Sequence, residues 1–198
     1  MIHLFFTIYF KIAVVLTPFA VLTMFLALTE GHTEAQKSKL ALRVSSAALV
    51  VIFSVFFCGK WIFPLFGLTL ASFEIGAGVL LFLTAIALVQ GKVDVERDPD
   101  KSDPAVVPLA IPIMVGPGTI GTLMVMGATQ SFSATGVVSA VALLTATCSV
   151  CLLLFISSAV ERALGRMRLA VLSKLSGLLL ASLAAQMVFT GIRNFMIK

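Results

Sequence analysis

Apolar residues gather in six runs along the chain, near 4–29, 40–59, 68–90, 105–127, 133–159 and 170–192, and polar residues fall mostly at the joints between them. About 20 consecutive apolar residues span the hydrocarbon core of a bilayer as helix, so each run predicts one transmembrane helix. The longest polar stretch, Gly91 to Pro104, carries five acidic residues, three basic ones and two prolines, which is linker composition. It joins the third run to the fourth. The expected fold is therefore an all-α integral membrane protein, one membrane domain over 1–198 with no soluble domain. The first run is too long for a cleavable signal peptide, holds Lys11 in its interior and has no small-x-small site before Glu30, so it is expected to stay attached.

Two of the runs contain a proline in mid-span. Pro18 and Pro117 stand 99 positions apart in a chain of 198. Shifting the sequence by 99 also aligns Thr23 with Thr122, Phe56 with Phe155, Leu70-Ala71 with Leu169-Ala170, and Gly78 with Gly177. In so apolar a composition the identities weigh less than their placement at the two breaks and on one glycine face. Each half, 1–99 and 100–198, holds three spans, so the second enters the membrane from the side opposite to the first. The pattern predicts an inverted repeat with spans one and four interrupted at Pro18 and Pro117. Inverted repeats with broken helices describe many secondary transporters, whose solute binds near the midplane. A duplicated membrane protein that transports nothing, an accessory protein, is the competing reading.

Composition confirms the class and charge supplies an orientation. Hydrophobic residues make up 60% of the chain and charged residues 12%, far from the balance of a soluble domain. The net charge of +5 is distributed unevenly. Lys37, Lys39 and Arg43, then Lys92, Arg97 and Lys101, then Arg162, Arg166 and Arg168 all fall on one side of six spans, and Lys60, Arg193 and Lys198 fall on the other. Basic loops stay in the cytoplasm, which places both termini outside. A nucleic-acid surface is not expected, because Asp94, Glu96, Asp98, Asp100 and Asp103 share those loops.

The chemistry gathers at the breaks. Span four reads Pro108-Leu-Ala-Ile-Pro112-Ile-Met-Val-Gly116-Pro117-Gly118-Thr119-Ile120, which suits no continuous helix. Proline is favoured at the first position of a helix, so Pro117 restarts the span with Gly116 as cap and leaves the N–H groups of Gly118, Thr119 and Ile120 to bind a carboxylate or phosphate. Thr17-Pro18-Phe19-Ala20 makes a second start at matching depth; a plain proline kink is the other reading there. Thr17, Thr23, Thr119 and Thr122 surround the breaks, their hydroxyls free for a small polar ligand or bonded to their own preceding turn. An amino acid fits such a site, its carboxylate on the N–H groups after Gly116-Pro117 and its ammonium on carbonyls released by proline, such as those of Val14 or Ile113.

The stretches PLAIPIMVGPGTI (108–120) and FEIGAGVLLF (73–82), with the start of span one and Thr29-Glu30-Gly31 after it, resemble the MarC family of six-helix bacterial inner-membrane proteins over nearly the whole chain. The resemblance implies a bacterial inner-membrane location and transport of small neutral amino acids such as glycine and alanine, with a distant likeness to exporters of the LysE type. Span one departs from it. The family's usual Asn-Pro-x-Gly-x-x-Pro-x-Phe stands here as Thr17-Pro18-Phe19-Ala20-Val21-Leu22-Thr23-Met24-Phe25, and only Pro18 and Phe25 keep the pattern.

Other polar residues within the spans carry two readings each. Lys11 is either a functional intramembrane charge or a snorkelling side chain. Glu74 is a proton-coupling carboxylate, a headgroup-level residue, or a partner for Lys11. Gln186 is a cavity hydrogen-bonding group or interhelical glue. Arg193 reads as an interface anchor. Cys148-Ser-Val-Cys151 has the spacing of a thiol oxidoreductase, but the run from Leu143 to Ser158 offers no cation or helix start to lower a thiol pKa, and helix packing explains it better. His3 and His32 fall outside the apolar spans, so no metal, cofactor or hydrolytic centre is expected. No phosphate-binding loop for ATP is present, so active transport would use a proton or sodium gradient. Glycine faces at Gly76-x-Gly78 and Ser176-Gly177 are available for close helix contact, within one chain or in a homo-oligomer.

Overall fold

The computed structural model describes residues 2–91, 114–129 and 134–197. The described residues form seven helices and no strand: α1 (Ile2–Val15), α2 (Pro18–Leu28), α3 (Glu34–Leu65), α4 (Leu70–Gln90), α5 (Pro117–Thr129), α6 (Ala134–Phe155) and α7 (Ser157–Met196). Among the described residues five stretches are long and apolar enough to cross a membrane: Ile2–Leu28, Glu34–Gly59, Leu70–Gln90, Gly136–Phe155 and Ser157–Met196. The fourth run of the sequence is represented by α5 alone. Its first half, with Pro108, Pro112 and Ile113, lies outside the described residues, as does the linker 92–104.

Local chemistry sets the helix ends. Thr33 and Gln36 cap α3 reciprocally, the Thr33 N–H donating to Gln36 Oε1 at 2.8 Å and the Gln36 N–H to Thr33 Oγ1 at 3.4 Å. The Thr69 hydroxyl accepts from the Ser72 N–H at the start of α4, and Gly91 closes that helix in the left-handed conformation. The joint expected between 159 and 170 is a kink rather than a long loop: Gly165, at φ 76° and ψ 155°, separates two helical stretches of α7, and Arg162, Arg166 and Arg168 lie in helix on either side of it. Polar residues outside the hydrocarbon are still good helix formers, so hydropathy marks the membrane and not the end of the helix.

Packing runs mainly between the two halves of the chain. α4 lies most extensively against α7, α5 inserts between α3 and α4, α1 packs on α6, and α2 on α7. Small residues make the α4–α7 seam: a Cβ on Gly78 would meet Val188 and Ala184, and one on Gly177 would meet Leu88, Val89 and Ala85. Those two glycines are thus engaged within the chain, whereas Gly76 has nothing within 4 Å. Buried apolar residues of α1, α3, α5 and α6 form one cluster, and a second joins Val15 and Ala20 to Leu81, Ala85, Leu88, Leu180 and Ala184. The outward faces carry exposed Leu80, Leu83, Leu144, Leu152, Leu178 and Phe189, as lipid contact requires.

Candidate functional site

The first span is broken one residue before the proline. Pro18 is the first residue of α2, and Thr17 takes up the turn in the left-handed region, φ 44° and ψ 62°. Asparagine, which the family pattern has at this position, tolerates that conformation better than a β-branched residue. The Thr17 N–H donates to the Val14 carbonyl at 3.1 Å, and the N–H groups of Ala20 and Val21 to the Thr17 carbonyl. The Val14 carbonyl expected to be free is therefore occupied. Thr17 is buried, and its hydroxyl caps nothing.

The second start repeats this with a different outcome for its donors. Gly116 precedes Pro117, and its carbonyl accepts from the Ile120 N–H at 2.9 Å. Ile120 therefore does not offer a free donor, because the turn before the proline already supplies an acceptor one helical turn back. Among the described residues, no backbone carbonyl accepts from the N–H of Gly118 or Thr119. Gly118 lies against Leu81 of α4, where a Cβ would come within 2.7 Å of the Leu81 Cα. Leu16 and Met114-Val115, the residues that lead into the two starts, are buried in the same apolar cluster. The threonines mostly bond their own helices. Thr23 Oγ1 donates to the Ala20 carbonyl at 2.8 Å, and Thr122 Oγ1 to the Gly118 carbonyl at 2.9 Å.

Two cavities flank this level. The larger, about 280 Å³, lies where early α1, early α4, late α5 and late α7 converge. Lys11, Glu74, Thr122 and Gln186, each from a different helix, all line it, beside Val15 and Leu81 at its base. Its volume corresponds to roughly nine waters and falls below the ~300–1,000 Å³ of sites for drug-sized ligands. Glu74 is 8% exposed and accepts from Asn194 Nδ2 at 3.4 Å. Among the described residues no ion pair joins it to Lys11. The smaller cavity, about 230 Å³, lies at the other end of the α4–α7 pair, between Thr23 and Ala27 of α2, Leu88 and Gly91, and Ser173 and Lys174.

The cavities occupy equivalent positions. Thr23, Ala27, Leu88 and Gly91 of the smaller one are each 99 residues before Thr122, Met126, Met187 and Thr190 of the larger, and Ser173 is 99 after Glu74. Between them lie Ala85, Leu180 and Ala184 of the second apolar cluster. Thr17, Pro18 and Gly116 to Ile120 line neither cavity. Ser173, Lys174 and Thr190 were not singled out from local sequence, although the shift by 99 that pairs Ser173 with Glu74 was the signal for one of them. Cys148 is exposed on α6 and Cys151 is buried in the large apolar cluster. Among the described residues no group of acidic, cysteine or histidine side chains is arranged to hold a metal ion.

These features define a helical integral membrane protein whose described residues include a first span broken at Thr17 and small cavities lined by apolar side chains with a few polar ones. The MarC family integral membrane protein model matches residues 2–196, and the chain belongs to that family. It is similar to the UPF0056 membrane protein YhcE of Escherichia coli, 30% identical with 96% of this chain and 94% of that one covered. It is also similar to a UPF0056 membrane protein of Methanocaldococcus jannaschii, 29% identical with 91% of each chain covered, and to YvbG of Bacillus subtilis, 28% identical with 94% and 93% covered. No solved structure matches.

Proposed function

We propose that this protein is a secondary transporter or exporter of a small neutral amino acid or similar small polar solute, working by alternating access between two inverted three-helix repeats, 1–99 and 100–198. The observation that carries the reading is the pair of cavities lined by positions 99 residues apart, at opposite ends of the α4–α7 pair with apolar side chains between them. Equivalent cavities facing opposite ways are what an inverted repeat produces when one protein must open to either side. Packing supports the same relation: exchange of the halves turns α2 into α5 and α4 into α7, so the contact of α4 with α5 becomes that of α7 with α2.

In this reading the starts at Pro18 and Pro117 lie on the path between the cavities. The N–H groups of Gly118 and Thr119 receive the solute's anionic group as it crosses, and the threonines and Gln186 shape the space to a small side chain. Positive loops orient both termini to the periplasmic side of the inner membrane. A proton or sodium gradient supplies the driving force. The test is flux of labelled glycine, alanine and serine into liposomes holding the purified protein, with and without each gradient. Saturable uptake of at least one supports the reading, and no uptake of any under every gradient refutes it.

A further inference from the structure

We propose that Lys11 and Glu74 are the two groups that read the charged ends of the solute in the larger cavity, Lys11 its anionic end and Glu74 its cationic end. The assignment rests on the transport reading for the kind of ligand; its geometry is independent of it. Both side chains line one cavity but come from different helices, α1 and α4. Lys11 is exposed where Glu74 is buried, and a buried carboxylate in a membrane domain ordinarily closes on an available cation, since an uncompensated buried charge is costly. Here no ion pair joins them among the described residues, and the hydrogen bond from Asn194 to Glu74 is long, at 3.4 Å. Glu74 is more than nine-tenths buried, so its carboxylate calls for a cationic partner. A ligand with both charges a few bonds apart satisfies Lys11 and Glu74 at once, and a ligand with one charge leaves the other group unmatched.

The equivalent cavity sharpens this. There Ser173 takes the position of Glu74, while a lysine, Lys174, still lines the space. The anionic end therefore has a cationic reader in both cavities, and the cationic end has a carboxylate in only one.

Equilibrium binding of labelled alanine to the full-length protein in detergent micelles tests the assignment, with glycine, ethylamine and propionate as competitors. Glycine should compete, and ethylamine and propionate should compete more weakly by roughly tenfold or more. Lys11→Met and Glu74→Gln should each weaken alanine binding by a similar factor. Lys11→Met should also abolish the discrimination against ethylamine, and Glu74→Gln that against propionate. Lys11→Arg and Glu74→Asp, which keep the charges, should keep the discrimination and so separate charge reading from misfolding. The assignment is overturned if the wild type binds no alanine saturably, if it does not discriminate among the competitors, or if Lys11→Met and Glu74→Gln bind as the wild type does. Absence of liposome flux with discrimination intact sinks the transport reading alone; normal flux in both neutralised variants sinks this assignment alone.

Discussion

Gly118→Ala adds a single methyl group at the seam between α5 and α4, and its cost follows from the geometry there. The new Cβ would stand 2.7 Å from Leu81 Cα and 2.9 Å from Leu81 N, where ordinary contact is 3.4–4 Å. Both neighbours are backbone atoms, so no side chain can swing away, and the helices must part by about 1 Å. Overpacking of this kind costs about 1–3 kcal/mol. Alanine's better helix propensity returns at most about 1 kcal/mol, which leaves a net loss of roughly 1 kcal/mol. The same shift moves Gly116-Pro117 relative to Leu81 at the base of the larger cavity, so transport should fall with stability. Denaturant unfolding in detergent, followed by circular dichroism, measures the first effect, and alanine flux in liposomes the second. Gly76→Ala is the control, because a Cβ added there would meet no atom of another element within 4 Å and the helix gain should appear alone. A Gly118→Ala protein as stable and active as Gly76→Ala would refute the close α4–α5 contact.

Thr17→Asn should raise unfolding stability by about 1 kcal/mol, since asparagine tolerates the left-handed turn at Thr17 better than threonine does, whereas Thr17→Val should give no gain; equal midpoints for the two would count against the break. Replacing Cys148 and Cys151 by alanine should leave flux unchanged within a factor of about two, and its loss would revive a thiol role. Arg166 pairs with Glu30 at 3.0 Å and with Glu161 at 2.6 Å, tying the end of α2 to α7, but it is 65% exposed. Arg166→Ala should therefore leave the unfolding midpoint nearly unchanged, and in high salt any residual effect should vanish.

Much of the helical layout was legible because lipid imposes it. The run at 68–90 is α4, Leu70–Gln90, and the run at 4–29 contains α1 and α2. The break at Pro18 was legible because proline lacks an N–H, yet the residue that leaves helical geometry is Thr17, since proline suits the first position of the new helix. The true length of α3, from Glu34 to Leu65, was not legible from hydropathy: Glu34 to Lys39 are polar but helical, and only the Thr33–Gln36 capping pair marks the start. Lys11, Glu74 and Gln186 stood out singly as misplaced polar groups. That they meet Thr122 in one cavity depends on how four helices pack, which no local pattern encodes.

The central claim is that the two equivalent cavities open in alternation. Ala27 and Met126, 99 positions apart, line one each. In a chain whose three native cysteines are alanine, Ala27→Cys and Met126→Cys report that opening through labelling by a membrane-impermeant maleimide applied from either side. Saturating alanine should change the two labelling rates in opposite directions, each from its own side of the membrane. Rates that move together, or do not respond to any of glycine, alanine and serine, would contradict the account.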